Sequence, residues 1–261
     1  MRLWRKVSCC ICPKKYLGDI VSSGEKPTIR FTIVEKFCQP CLTMLKTRVI
    51  PILLFKNPEI GLVKSIQFNR MRTVGNPVNA ARVYNSRNVD ELIFLDIGAR
   101  RDSRPINLRA VKEIFNECFM PLTVGGKVES LTDVRTLLLA GADKVSVNTA
   151  AIENPYLISE IATSYGNQCI VVSIDAKKTP DGYKVFSHAG QYPTGLDPVS
   201  WAKQAEKLGA GEILINSVDR DGTMTGYDIQ LVRMVAAAVK IPVIAAGGAG
   251  EPDHFVQVIK K

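Results

Sequence analysis

Short apolar runs that end in polar residues or glycines recur along the chain and predict alternating strands and helices. In Gly211–Asp228, the run Ile213–Ile215 is short enough for a strand buried on both faces. Polar residues around Gly222 follow, and a helical pattern resumes from Asp228. This order of strand, polar loop and helix is the repeating unit of an α/β barrel, in which the loops after the strands carry the chemistry.

The strand patterns of the first half of the chain recur in the second half at a nearly constant offset. Glu91 in the run Asp90–Ile97 lies 121 positions before Glu212 in the run Gly211–Val218. Two further pairs match at offsets of 121 and 122: Arg48–Lys56 with Ile170–Lys178, and Met120–Gly126 with Ile241–Gly248. Buried parallel strands resemble one another by chance, but three matches in register favour a duplicated unit. A unit of about four βα pairs predicts an α/β fold, a (β/α)8 TIM barrel built from two half-barrel repeats.

The same offset predicts an eighth strand beyond the last residue given. Val145–Ala150 is the fourth strand of the first half, so its counterpart would begin at about position 266, beyond Lys261. The sequence therefore predicts a barrel truncated before strand eight, with its first and seventh strands as open edges. We expect a truncated gene product or an early frameshift.

Two stretches between the predicted elements are long. Phe55–Gly75 shows no clear element and is typical of a functional lid or a disordered loop. Lys178–Leu196 predicts an excursion between strand five and its helix. Cap residues mark the starts of several helices, among them Asn76-Pro77, Ser130 and Asp197-Pro198.

Composition predicts one soluble globular domain. The chain of 261 residues is 46% hydrophobic and 23% charged, and it has no apolar run of the roughly 18 residues that span a membrane. Of its net charge of +9, residues 1–43 contribute +5, from eight Lys and Arg against three Asp and Glu. The rest of the chain is mildly basic, which suits an anionic small molecule. We expect neither nucleic acid nor a membrane as a partner.

Residues 1–43 are predicted to be a leader, disordered or spuriously translated, and residues 44–261 to form the barrel domain. Five of the seven cysteines lie in the leader: Cys9, Cys10, Cys12, Cys38 and Cys41. The last two have the spacing of a zinc ribbon, and the first three are candidates for the other two ligands. No barrel feature needs a metal there, so we expect no metal and no cofactor.

The remaining cysteines and the amino terminus bear on location. Cys118 and Cys169 are isolated and are interpreted as ordinary core thiols, which fits a reducing cytoplasm. The first residues place Leu3 and Trp4 among basic side chains with no sustained apolar core, so a secretory signal fits poorly. The sequence therefore predicts a cytoplasmic protein.

Polar residues and glycines close the predicted strands. They are Asp96, Gly125-Gly126, Asn148-Thr149, Asp175, Asn216-Ser217 and Gly247-Gly248. In a barrel these strand ends surround the catalytic mouth. Each glycine pair either lets backbone N–H groups approach an oxyanion or only turns the chain sharply. Two such turns on opposite sides favour a ligand with phosphate at both ends, with Thr149 and Gly222 as supporting donors.

Asp175 is the candidate for proton transfer. It ends a buried strand, where desolvation raises the pKa of a carboxyl group. The alternatives are a helix cap or a salt bridge to Lys177. Its counterpart in the first half is Leu54, which cannot transfer a proton. His188 and His254 lie away from the strand ends and are predicted to be surface residues, which argues against histidine acid–base chemistry.

Charged residues begin four of the predicted strands, at the opposite end of the barrel. They are Arg48, Glu91, Lys144 and Glu212. Barrel interiors are normally apolar, so an alternating ring across the bottom is one interpretation. Spacing alone favours the simpler one, ordinary solvated strand ends.

Six long motifs between Met44 and Lys261 form a consistent set: ELIFLDI, PLTVGG, GADKVSVNTAAIENP, VVSIDAKK, GAGEILINSVDRDGTMTGYD and PVIAAGGAG. With these motifs the chain resembles the cyclase subunit of imidazole glycerol phosphate synthase. The resemblance implies a (β/α)8 barrel whose bottom face binds a glutaminase subunit. It also implies that ammonia passes through the barrel to a phosphorylated small-molecule substrate at the top.

The resemblance implies roles for individual residues. The charged gate at the ammonia entrance matches Arg48, Glu91, Lys144 and Glu212. The substrate- and phosphate-binding positions match Gly125, Gly126, Asn148, Thr149, Asp221, Gly222, Gly247 and Gly248. Lys64 matches the lysine of a mobile first loop, and Asp175 matches one of two catalytic aspartates.

The sequence departs from this family at Leu54, where the other catalytic aspartate is expected. Loss of one proton-transferring carboxylate costs roughly 10²–10⁴ in rate. The strand Ile52–Lys56 instead resembles a paralogous group linked to surface-polysaccharide synthesis. There the barrel and its glutaminase supply ammonia for converting an acetamido sugar to an acetamidino sugar, together with a separate ATP-using enzyme. The sequence favours such an ammonia-dependent synthase or lyase subunit; a histidine-pathway cyclase and an inactive truncated remnant are the alternatives.

Overall fold

The computed structural model describes residues 47–260. They belong to one compact unit, Lys46–Lys261. The predicted leader, residues 1–43, and the cysteines within it lie outside the described residues.

Strands and helices alternate along the described residues. The strands are β1 (Ile52–Asn57), β2 (Gly61–Ile66), β3 (Arg70–Gly75), β4 (Leu92–Asp96), β5 (Leu122–Gly125), β6 (Lys144–Val147), β7 (Ile170–Thr179), β8 (Gly182–Ser187), β9 (Tyr192–Pro193), β10 (Glu212–Ser217) and β11 (Val243–Ala246). The helices are α1 (Pro77–Ser86), α2 (Ile97–Arg101), α3 (Leu108–Glu117), α4 (Leu131–Leu139), α5 (Thr149–Glu153), α6 (Tyr156–Tyr165), α7 (Pro198–Leu208), α8 (Ile229–Ala236) and α9 (Pro252–Ile259). Within residues 47–260, no helix is long and apolar enough to cross a membrane.

Seven of these strands run parallel in a curled sheet. Their order is β11-β10-β7-β6-β5-β4-β1, so each parallel strand lies beside the previous one in the chain. Helices connect them, as parallel pairing requires. This is the (β/α)8 barrel fold that the sequence predicts, with seven of its strands in residues 47–260. Within that range β1 and β11 are not paired with each other, so the sheet is open between them.

Two apolar layers enclose the sheet because successive side chains of a strand point to opposite faces. Leu53 and Phe55 of β1 belong to the larger cluster, which packs the sheet against the helices. The opposite face carries a smaller cluster inside the barrel, built on Ile93, Val171, Leu214 and Ala246. The strands are therefore buried on both faces, which explains their continuous apolar runs.

A β-hairpin follows the first strand of each half-barrel. β2 pairs antiparallel with β1 and with β3, and β8 pairs antiparallel with β7 and with β9. The prediction that Phe55–Gly75 holds no clear element is therefore wrong. Because all six residues of β3 are exposed, they lack the alternation that marks a half-buried strand. The hairpin also covers the edge of β1 over Leu54–Asn57, which would otherwise present unpaired backbone groups.

The predicted cap residues are confirmed. The Asn76 side chain accepts from the Val78 N–H at 2.8 Å, and Pro77 begins α1. Ser130 forms a capping box with Asp133, and Asp197 accepts from the Ser200 N–H at 2.8 Å. Such caps satisfy amide groups that have no partner within the helix. They fix where each helix starts and hence the length of the loop before it.

Trp201 of α7 tests the packing of helix against sheet, because only 2% of its surface is exposed. We expect Trp201→Ala to lower the free energy of unfolding by about 3–5 kcal/mol through the cavity it leaves. Urea denaturation of the full chain measures this change. Tyr156→Ala on α6, where 72% of the residue is exposed, serves as the control and changes stability by less than about 0.5 kcal/mol. Equal effects of the two substitutions would contradict the packing described.

Candidate active site

The hydrogen-bond register places Leu54 and Asp175 at the same end of the barrel. Four pairs of neighbours link their strands: Leu54–Leu95, Leu95–Gly125, Gly125–Ser146 and Ser146–Val171. A barrel of this type has a shear of about 8 residues over its eight strands, so the level shifts by about one residue per strand. Four steps therefore bring Leu54 level with the residue four beyond Val171, which is Asp175.

Asp175 is a buried carboxylate held by two carboxamides. It is 6% exposed, and its Oδ2 accepts from the Asn148 Nδ2 at 2.8 Å. The Asn216 side chain, level with it on β10, also hydrogen-bonds to it. Burial raises the pKa of the Asp175 carboxyl to about 6, although the hydrogen bonds from Asn148 and Asn216 act to lower it. A carboxyl group with such a pKa exchanges its proton near neutral pH.

The two alternative roles considered for Asp175 are not observed. Asp175 lies within β7 and not at the start of a helix. The ammonium group of Lys177 donates to the Gly190 carbonyl and lies 4.5 Å from the centre of the Phe186 ring. Asp175 therefore remains available for chemistry at the mouth.

The hairpin β2–β3 reaches across the mouth and contacts the loop after β10. The Ser65 hydroxyl donates to Asp221 Oδ2 at 2.6 Å, and the Gln67 N–H donates to the Asp221 carbonyl at 2.9 Å. Gly222 lies so close that an added Cβ would be 1.9 Å from the Ser65 carbonyl oxygen. Asp221 and Gly222, predicted to bind substrate, therefore also hold the hairpin in place. Lys64 lies on the same hairpin, exposed and opposite Arg72.

The glycine pairs at the strand ends bring backbones into close contact. An added Cβ on Gly126, whose φ is 143°, would lie 2.6 Å from the Asp96 carbonyl oxygen. The same atom on Gly248, whose φ is 100°, would lie 2.1 Å from the Gly226 carbonyl oxygen. Their neighbours Gly125 and Gly247 are similarly confined. Packing alone thus accounts for these glycines, while the turns also leave room for an anion.

Thr149 sits beside Asn148 at the end of β6, and its Oγ1 accepts from the His188 N–H at 3.0 Å. Since that hydrogen bond uses the oxygen, the Thr149 hydroxyl remains a donor. His188, predicted to be a surface residue, is partly exposed, and its Nε2 lies 3.3 Å from Arg100 Nη1. His254 is also only partly exposed, and its Nδ1 accepts from backbone N–H groups at the start of α9.

The charged residues at the strand starts form a closed ring. Arg48 Nη1 donates to Glu91 and, at 2.8 Å, to Glu212. Lys144 Nζ donates to the same two carboxylates, at 3.0 Å each. Glu91 and Glu212 are only 7% and 8% exposed. The interpretation as solvated strand ends is therefore wrong, and the four side chains close the bottom of the barrel.

One buried ion pair beside the mouth has no signal in the sequence. Arg104 Nη1 and Nη2 donate to the two oxygens of Asp96 at 2.7 and 2.8 Å, and Asp96 is fully buried. Arg104 Nη2 also donates to the Lys56 carbonyl at 2.6 Å. This pair ties β4 to the end of β1. Asp96, a strand-end residue, therefore has a structural partner of its own.

Two surface clefts lie outside the barrel. One, of about 500 Å³, separates the hairpin from the starts of α1 and α3. The other, of about 680 Å³, lies between the turn after β7 and the start of α8. Neither is lined by Asp175.

Gly222→Ala tests the contact between the hairpin and the loop after β10. The new Cβ would collide with the Ser65 carbonyl, so we expect faster hydrogen–deuterium exchange in Gly61–Gly75. Gly182→Ala is the matched control, because its φ of 104° is equally left-handed but nothing lies within 4 Å of the new Cβ. Backbone strain of about 1 kcal/mol is common to both variants. Unchanged exchange in Gly222→Ala would contradict the described contact between the hairpin and this loop.

The raised pKa of Asp175 makes stability fall as pH rises. Because the folded-state pKa of about 6 exceeds the ordinary aspartate pKa of 3.8, the folded chain binds more protons between these values. Stability is therefore greatest below pH 4 for this group and is lost through pH 6, by roughly 3 kcal/mol at pH 7. We expect the stability of Asp175→Asn relative to wild type to rise over this range in urea unfolding experiments. The control is Asp181→Asn at an exposed turn; parallel curves for wild type and Asp175→Asn would refute the assignment.

Comparison with known protein families agrees with this architecture. The family described as "Histidine biosynthesis protein" matches residues 48–261, which include the charged ring, Asp175 and both glycine turns. The matched region is most of the chain. This protein therefore belongs to the histidine biosynthesis protein family.

Proposed function

We propose that this chain is the synthase subunit of a glutamine amidotransferase complex. In this proposal it receives ammonia from a glutaminase partner through the barrel and adds it to a phosphorylated substrate. The family supports an enzyme of the histidine biosynthesis type. The observation that carries the finer proposal is the pairing of a closed charged ring at one end of the barrel with one buried carboxyl at the other.

The ring suits a gate for a small neutral molecule. Ammonia enters the apolar interior without the desolvation cost that an ion incurs. Passage requires at least one ion pair to separate. The Arg48 side chain, 26% exposed, is the most accessible of the four and the best placed to move.

The surface around the ring suits a protein partner. Phe119 follows α3, and Leu139 is the last residue of α4; each precedes a strand that begins at the bottom of the barrel. The two residues are 85% and 78% exposed. Val49, next to Arg48, is 46% exposed. Exposed apolar side chains on one face mark protein-binding surfaces. We assign this face to the glutaminase subunit, and neither nucleic acid nor a membrane enters the proposal.

The single carboxyl favours a reaction other than closure of an imidazole ring. Asp175 can donate or accept a proton near neutral pH, but Leu54 faces it at the same level without a titratable group. Addition of ammonia to a substrate activated elsewhere needs only one such group. The proposal therefore places the chain in the conversion of an acetamido sugar to an acetamidino sugar for surface polysaccharide, with a separate ATP-using enzyme. The free thiols Cys118 and Cys169 suit a cytoplasmic location.

Histidine-pathway cyclisation is the second candidate, and the family match favours it. The charged ring and the two glycine turns serve this reaction equally well. It requires that a group other than residue 54 supply the second proton transfer.

Replacement of Leu54 separates the two candidates. The full chain is incubated with an ammonium salt and the histidine-pathway ribonucleotide, and imidazole glycerol phosphate is measured. We expect no product from wild type, and at least about a hundredfold gain over that background in Leu54→Asp, because a second proton-transferring group is restored. Leu54→Asn, of the same shape without a titratable group, is the control.

Product from the wild-type chain would exclude the polysaccharide assignment and establish the histidine-pathway reaction. Absence of product from every variant, together with non-cooperative thermal unfolding of the wild type, would favour the inactive remnant instead.

A further inference from the structure

The second strand of the hairpin β2–β3 is an uncovered edge of the sheet. β3 is last in the strand order and pairs with β2, and no other strand of residues 47–260 pairs with it. All six of its residues are exposed. Such an edge presents backbone N–H and C=O groups with which another extended chain can pair.

Three cations share one face of this hairpin. Lys64 lies opposite Arg72 in the strand register, and Arg70 is two residues from Arg72, so the three side chains point to the same side. The other face is covered, since Val63 and Ser65 are only 4% and 5% exposed. Ser65 contacts the loop after β10 from that covered face. The cations therefore point away from this loop and into solvent.

No acidic side chain balances these cations. Within the described part of the chain, none of the three forms an ion pair. The sequence has no Asp or Glu between Glu59 and Asp90. Like charges directly opposite each other on neighbouring strands are destabilising, and Lys64 faces Arg72 in this way. An acidic partner would relieve this repulsion.

An extended protein segment is the form of acidic partner that fits this edge. Side chains on one face of a strand recur about every 6.8 Å, so a strand beside β3 can place one carboxylate against each of Arg70 and Arg72. The side chain between those carboxylates lies on the other face, beside Met71, which is 37% exposed. An apolar group is favoured there. Neither a polynucleotide nor a lipid headgroup supplies the regularly spaced amide groups that pair with a strand edge.

We propose that β3 is a docking site for an extended segment of a partner protein, with acidic residues at alternate positions. The segment adds a strand to the free edge of β3. Its carboxylates pair with Arg70 and Arg72, and its apolar side chains lie beside Met71. The inference does not depend on the proposed reaction, since neither Asp175 nor the charged ring takes part in it.

Peptide binding to the full chain tests this docking site. A fluorescent peptide of alternating Glu and Val, as long as β3, is titrated with the protein, and its anisotropy is measured. We expect saturable binding that weakens as salt is raised, because the charged pairs are exposed. Arg70→Glu/Arg72→Glu weakens binding by at least about tenfold, because each carboxylate then meets a like charge. Arg135→Glu/Lys203→Glu, which reverses two exposed charges on α4 and α7, is the matched control and leaves binding unchanged.

Two modified peptides separate strand addition from simple attraction between charges. One carries N-methyl groups on every Val and the other on every Glu, so both keep the charge of the parent peptide. Successive amides of a strand point to opposite edges, so only one of these two sets faces β3. We expect the peptide that is methylated on that set to bind wild type at least about tenfold more weakly than the other, because it loses the backbone hydrogen bonds.

Other outcomes would overturn the inference. Absence of binding by the parent peptide, or equal binding by wild type and Arg70→Glu/Arg72→Glu, would leave the cations only the role of preventing pairing between like edges. Equal affinity of the two methylated peptides would refute strand addition. Tighter binding of oligouridylate or of phosphatidylserine vesicles than of the peptide, lost in the same variant, would identify a nucleic acid or a membrane as the occupant instead.

Discussion

The register of the parallel strands is the constraint on which the rest of this structure depends. Hydrogen bonding between β1, β4, β5, β6 and β7 sets which residues share a level around the barrel. That register places Leu54 across from Asp175 and gathers the glycine turns at one end. It also brings the four charged strand starts together at the other end. A slip of one residue would turn every inward side chain outward and dissolve both sets.

The parallel strands and the helix starts could be predicted because each has a local cause. Buried strands give apolar runs, and caps such as Ser130 give a short-range hydrogen-bonding pattern. The hairpin β2–β3 could not be predicted, since the exposed strand Arg70–Gly75 has no buried face to impose a period of two. The interaction that holds it in place joins Ser65 to Asp221, residues 156 positions apart.

The sequence predicts which residues form the candidate site, but it does not predict the hydrogen bonds and ion pairs between them. Strand ends identify Asp175, Asn148 and Asn216, yet the sequence does not show that both amides donate to the same carboxylate. The pairing of Arg104 with Asp96 has no sequence signal either, because it depends on how the segment after α2 folds back.

The ring at the bottom of the barrel has a consequence for ions in solution. Its two cations and two anions alternate around the opening, each contacting neighbours of opposite sign. The ring has no net charge, so its electrostatic potential falls with distance more steeply than the potential of a single charge. Ions in the solvent are therefore hardly attracted to this end of the barrel, and neither ammonium nor chloride accumulates there. In the proposed function, ammonia therefore reaches the ring by direct transfer from a bound glutaminase and not from free solution.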